Sequence, residues 1–115
     1  MSKKKINGGD GSLSELFEML SSEYRRRILI AVRQANPRDE DELTSESIGD
    51  EGDEEALAVL QQKLYHTHLP KLNDAGFINW DQDTGIIRRG PRFEEIEPLL
   101  RLMHKHQDEL PDDWP

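Results

Sequence analysis

Between Tyr65 and Ile78 the chain changes its hydrophobic period within a few residues, and that change constrains the fold more than any other feature. Leu57, Leu60, Leu64, His68, Leu69, Leu72 and Ala75 fall at three- and four-residue steps, which places them on one face of an amphipathic helix. Gly76 follows where a left-handed C-terminal cap is wanted, and Phe77-Ile78-Asn79-Trp80 then has the character of a strand. A helix with an apolar face therefore feeds directly into a sheet. The rest of the chain must cover both.

Upstream, Ser12-Leu13-Ser14-Glu15 has the capping-box form, so a helix is expected from here with Leu13, Leu16, Phe17 and Leu20 as its apolar stripe. Ser21-Ser22 interrupts it and can cap a second helix, about Glu23 to Ala35, carrying Tyr24, Ile28, Ala31, Val32 and Ala35 on one side. This should be the most buried helix. Arg25, Arg26 and Arg27 fall in its first turn, where positive charge opposes the helix dipole. Pairing with Glu15, Glu18 or Glu23 would offset it; contact with an anion such as DNA phosphate is the sharper alternative. Asn36-Pro37 ends the helix.

From Arg38 to Glu55 the chain has ten acidic residues and one arginine, and most of it is expected to be exposed loop around a short helix at Leu43 to Gly49. Beyond the long helix, Phe77–Trp80 and Gly85–Arg89 are strands of a hairpin turned by Asp81-Gln82-Asp83-Thr84, with Gly85 available for positive φ. Gly90-Pro91 closes the hairpin. Arg92 to about Gln107 is helical again, and Pro98 predicts a break, with a first turn through Glu97 and a new helix starting at the proline. The resulting domain plan is a flexible leader at 1–11, one folded domain at 12–107, and a short acidic tail at 108–115, whose Trp114 is a candidate for packing somewhere.

The balance of 15 basic against 24 acidic residues gives a net charge of -9, with a pI near 4.8 and a mean hydropathy of -0.84. Because the periodic segments argue against a disordered chain, this composition reads as a globular domain adapted to concentrated salt. There are no cysteines, which excludes disulfides, thiolate metal sites and cysteine nucleophiles. No signal peptide or transmembrane run is present, so a soluble cytoplasmic protein without a membrane role is expected. The pairs His66/His68 and His104/His106 are each spaced by two, and on a helix such side chains diverge by roughly 200°. No metal site, cofactor, phosphate loop or catalytic triad is expected, and the chain is read as a non-enzyme.

The order helix, helix, short helix, longer helix, hairpin, helix is a mainly α fold with a small antiparallel β-hairpin, the winged helix-turn-helix plan. His68-Leu69, Leu72 and Asp74-Ala75-Gly76-Phe77-Ile78 resemble the end of the recognition helix in ArsR-like winged-helix regulators. That pattern is a His-Leu pair, a Leu three positions on, and Asp-Ala-Gly before two apolar residues. His66-Thr67-His68-Leu69-Pro70-Lys71-Leu72, with Arg25-Arg26-Arg27-Ile28-Leu29, is also similar to an uncharacterised family of small winged-helix proteins from haloarchaea. The resemblance implies a DNA-binding transcription regulator that acts on double-stranded DNA as a homodimer.

On that alignment Gln62, Lys63, His66, Thr67 and Lys71 would meet a major groove, while Arg88 and Arg89 on the wing would reach the flanking backbone or minor groove. Leu13, Leu16, Leu99, Leu102 and Met103 exceed what one small core needs and are expected at the dimer interface. His68 is expected to be a core or half-buried residue hydrogen-bonded near the wing. Two departures stand out. Pro70 removes the bond to the His66 carbonyl and should kink or loosen the helix within its contact region. The net charge repels phosphate, although at molar salt the Debye length falls to roughly 3 Å. These departures motivate the alternative, an adaptor that holds a protein partner through the acidic loop 39–55 or the C-terminal helix and does not touch DNA.

Overall fold

The computed structural model describes residues 12–43 and 54–115. Residues 1–11, read as the leader, and 44–53 lie outside these; the latter hold most of the short helix expected at Leu43 to Gly49 and the turn expected after it. The elements in order are α1 (Leu13–Met19), α2 (Glu23–Gln34), β1 (Arg38–Asp39), α3 (described over 40–43), α4 (Glu54–Lys63), a π-helical turn (Leu64–His68), α5 (Leu69–Ala75), β2 (Ile78–Asp81), β3 (Ile86–Arg89), α6 (Phe93–Lys105) and a 3-10 turn (Gln107–Glu109). This is a mainly helical domain with one small antiparallel sheet, and its order fits the winged helix.

α2 is the central helix, as its composition demanded. Ile28, Leu29, Ile30, Ala31 and Val32 are all buried, and the helix packs on the π turn, β3 and α6. Ser22 caps it by accepting from the Tyr24 amide at 3.2 Å. The long helix lays Leu60, Leu64, Leu69 and Leu72 against it, then stops at Gly76, whose φ of 90° puts it in the left-handed region. Phe77 and Ile78 continue into the core, and Ile87 of β3 joins them.

Three expectations need correction. The sheet has three strands, in the order β1-β3-β2, where a two-stranded hairpin was expected. Arg38 and Asp39, read as exposed loop, pair with Ile87 and Ile86 because Arg38 Nε is anchored on the Ala31 carbonyl and the Glu40 amide donates to the Gly85 carbonyl. Pro98 does not start a new helix; it lies inside α6. The carbonyl it orphans is that of Glu94, and both residues are exposed, so water can serve it while Ile96 and Leu100 hold the helix from the buried side. The capping box is only half formed. Ser12 accepts from the Glu15 amide at 3.1 Å, but the Glu15 carboxylate turns instead to Arg92.

Arg92 ties the turn after the hairpin to three other elements. Its guanidinium donates to Glu15 at 2.6 Å, to Glu95 at 3.0 Å and to the Ala75 carbonyl at 2.9 Å, and it lies 4.7 Å from the centroid of Phe77. Nearby Gly90 passes so close to the Gly76–Ile78 backbone that a Cβ there would lie 2.7 Å from the Ile78 nitrogen. The C-terminal tail also folds back, with Trp114 partly buried against the core and Asp113 beside Arg26.

Candidate nucleic-acid interface

The long helix is positioned from its inner side by the arginine-rich start of α2. Arg25 is only 7% exposed. Its Nε donates to the Met19 carbonyl at 2.9 Å, and one terminal nitrogen donates to the Glu18 carbonyl at 2.9 Å and to Ser21 Oγ at 3.1 Å. Arg26 donates to the Leu20 carbonyl at 2.8 Å. These are the last carbonyls of α1, which an isolated helix leaves unpaired and which carry the negative end of its dipole. The arginines oppose the dipole of α2, yet they sit where α1 needs positive charge. Of the carboxylate pairings expected for this triplet, Arg27 with Glu23 forms, at 3.4 Å.

Arg25 also reaches across to the long helix, where its second terminal nitrogen lies 3.1 Å from His68 Nδ1. A guanidinium has no acceptor, so the imidazole must accept, which fixes it as neutral with its proton on Nε2. The Tyr24 ring stacks on it with centroids 5.2 Å apart. Burial lowers the His68 pKa, and Arg25, Lys63 and Lys71 push it the same way. His68 is thus half-buried, as expected, but its partner is α2 rather than the wing.

On the outer side of the same helix Gln62, Lys63, His66 and Thr67 are exposed. Gln62, His66 and Thr67 make no side-chain bond among the described residues, and the Lys63 ammonium rests 5.5 Å from the Tyr24 ring centroid. The exposed positions recur as 58/59, 62/63 and 66/67, a four-residue step. A pure α-helix would rotate each successive pair by about 40°. The wider π turn counters that drift and keeps the pairs along one edge, the Leu69 amide bonding back to the Leu64 carbonyl. This π turn ends two residues before Pro70, beside the place where the sequence predicts a kink or loosening. The signal for that kink was the His66 carbonyl that Pro70 cannot serve.

The remaining predicted contact residues are placed differently. Lys71 is ion-paired with Glu18 at 3.0 Å. Arg89, though exposed, lies back on α2: it donates to the carbonyls of Val32 at 3.2 Å and Arg33 at 2.7 Å and lies over Phe93, so it ties the end of α2 instead of extending from the wing. Arg88 pairs with Asn79 in the ladder, and strand alternation sets both on the solvent side of the hairpin. The structure thus brings Gln62, Lys63, His66 and Thr67 together and leaves Arg88 exposed apart from them. Of the residues expected at a dimer interface, Leu13 and Leu102 are 56% and 55% exposed, and Phe17, absent from that expectation, is 53% exposed. Leu99 and Met103 are half-buried. Leu16, also expected at that interface, is 6% exposed and belongs to the domain's own core, so it is not available to a partner.

Trp80 holds the wing against the long helix. Its indole nitrogen donates to Glu40 at 2.7 Å, its amide donates to Asn73 at 2.9 Å, and its ring stacks on Tyr65. Nothing in the sequence near Glu40 announced that bond. Among the described residues no helix is long and apolar enough to cross a membrane.

Fold and site together define a small helical domain with a three-stranded wing and one open helix edge. The chain belongs to the family described as Domain of unknown function (DUF7344), whose model matches residues 17–88, from the end of α1 through most of β3. No curated protein and no solved structure matches it.

Proposed function

We propose that this domain is a winged-helix regulator of ArsR-like, haloarchaeal type that reads double-stranded DNA with the outer edge of its long helix. The observation that carries this reading is the row of Gln62, Lys63, His66 and Thr67. Together they offer donors and acceptors suited to base edges, the Lys63 ammonium being able to meet a base or a phosphate, and among the described residues their one side-chain contact is that of Lys63 with the Tyr24 ring. Glu54 and Glu55 in the first turn of α4 leave little net attraction for phosphate, so specificity rests on base contacts at high salt. Two copies associating through Leu13, Phe17 and Leu102 would present two such edges to a two-fold site.

The test is duplex binding in molar KCl with Lys63→Ala, His66→Ala and Arg88→Ala beside the wild type. A side chain that bonds a base edge is worth about 1–3 kcal/mol, so the two helix variants should bind at least fivefold more weakly. Arg88→Ala should lose less. Unchanged affinity in all three overturns the assigned edge. Arg89 is unsuitable for this purpose because its loss would act through the end of α2.

A second reading, an adaptor that binds protein and not DNA, is favoured by the same exposed apolar residues together with the net charge of -9. It requires no duplex retention at any salt. It also requires that Phe17→Ser with Leu102→Ser abolish partner capture while the chain itself stays monomeric throughout.

A further inference from the structure

His68 stands at the junction of the two sides of the long helix. It is the last residue of the π turn and immediately precedes α5, and its ring is the point where that turn bonds to the α1–α2 corner. Arg25, on the other side of the bond, cannot follow a movement, because three further hydrogen bonds hold its guanidinium to Glu18, Met19 and Ser21. Any rearrangement at this contact must be made by the long helix.

The contact depends on charge state in one direction only. Neutral His68 accepts a hydrogen bond at Nδ1 from the guanidinium. With a proton on Nδ1, two N–H groups would face each other at 3.1 Å, and two positive charges would be brought together. The groups that face His68 from every packed element reinforce this. Arg25 and Tyr24 come from α2, Lys63 from α4 and Lys71 from α5; the carboxylate of Glu18, from α1, is already held by Lys71. Among the described residues no free carboxylate compensates a charged imidazole.

We propose that His68 is a proton-operated latch: the neutral ring fastens the π turn to the α1–α2 corner, and protonation releases it. The released turn carries His66 and Thr67, which immediately precede His68 and form the outer edge, so acidification rearranges that edge without any ligand. The turn is suited to this role because it is a local departure from the α-helix, bounded by Pro70, where the helix already lacks a backbone bond. The latch is a property of the fold and holds whether or not the edge reads DNA.

The experiment uses the full chain in molar KCl and does not involve DNA. Long-range nitrogen NMR at pH 7.5 should show His68 as the Nε2–H tautomer. Amide exchange at residues 64–72, corrected for the intrinsic pH dependence, should then lose protection by at least about fivefold between pH 7.5 and 5, the lower end of typical coupling between sites. α6 should not change. In His68→Gln, whose amide oxygen can still accept from Arg25 but cannot titrate, the loss should vanish; in His104→Gln with His106→Gln it should persist. An Nδ1–H tautomer at pH 7.5, protection at 64–72 that does not depend on pH, or an undiminished loss in His68→Gln overturns the latch. Should His68→Gln fail to fold, the tautomer and exchange measurements on the wild type still decide it.

Discussion

The α1–α2 corner and the outer edge of the long helix lie on opposite sides of His68 and treat polar and charged side chains in opposite ways. In the corner, Arg25 and Arg26 direct their donors at backbone carbonyls, and hardly any capacity is left for a ligand. On the outer edge, Gln62, His66 and Thr67 have no side-chain partner among the described residues, and Lys63 only rests near a ring. Both regions read as cationic or polar helix surface in one dimension. A rigid five-donor guanidinium next to a helix end is a structural tie, whereas a flexible ammonium or amide on an open face remains free for recognition. Arg89 and Arg92 extend the same distinction, since each closes a helix end or a chain crossing.

This contrast can be broken by substitution. Arg25→Met should have the largest effect, about 3 kcal/mol of lost stability in denaturant titration, because it leaves the Glu18 and Met19 carbonyls without their buried charged donor. A loss below 1 kcal/mol would show that water replaces the guanidinium and that the corner is not a tie. Arg92→Lys should cost about 2 kcal/mol, since one ammonium cannot serve Glu15, Glu95 and the Ala75 carbonyl together.

Acidification comes next. The His68 pKa is lowered in the folded state, so the unfolded chain takes up the proton first as pH falls. The stability contributed by the neutral ring is complete above the ordinary imidazole range near pH 6.5 and is lost progressively below it. Melting temperatures between pH 8 and 5 should decline for the wild type and decline less for His68→Gln. Smallest of all, Gln62→Ala and Thr67→Ala should change stability by no more than about 0.5 kcal/mol. A larger loss in either would mean that the outer edge is part of the fold after all.

Much of the fold was legible because it rests on period and punctuation. The stripe from Leu57 to Ala75, the stop at Gly76 and the hairpin around Gly85 all follow from local spacing, and each is where it was expected. What escaped depends on atoms far apart in sequence. β1 has only two residues and no hydrophobic pattern of its own, so it is specified by its partners across the sheet. The fates of Arg89 and Lys71 depended on which carbonyl or carboxylate lay within reach, which residue type does not encode. The edge residues Gln62, Lys63, His66 and Thr67 were legible as a solvent face, because exposure follows helical period. The π turn that aligns them was visible only as an orphaned carbonyl before Pro70.

The sheet order also bears on how the chain reaches its native state. β2 and β3 are neighbours in sequence and can zip within microseconds as an independent hairpin. β1 must wait, because Arg38 pairs with Ile87 across about fifty residues that include the whole long helix. Two residues gain too little to hold such a loop closed alone, so the strand can add only after the hairpin has formed and α2 has brought Ala31 to Arg38. Docking of β1 is thus a late event, and the bond from Glu40 to Trp80 just beyond it joins the two halves of the chain once they have folded.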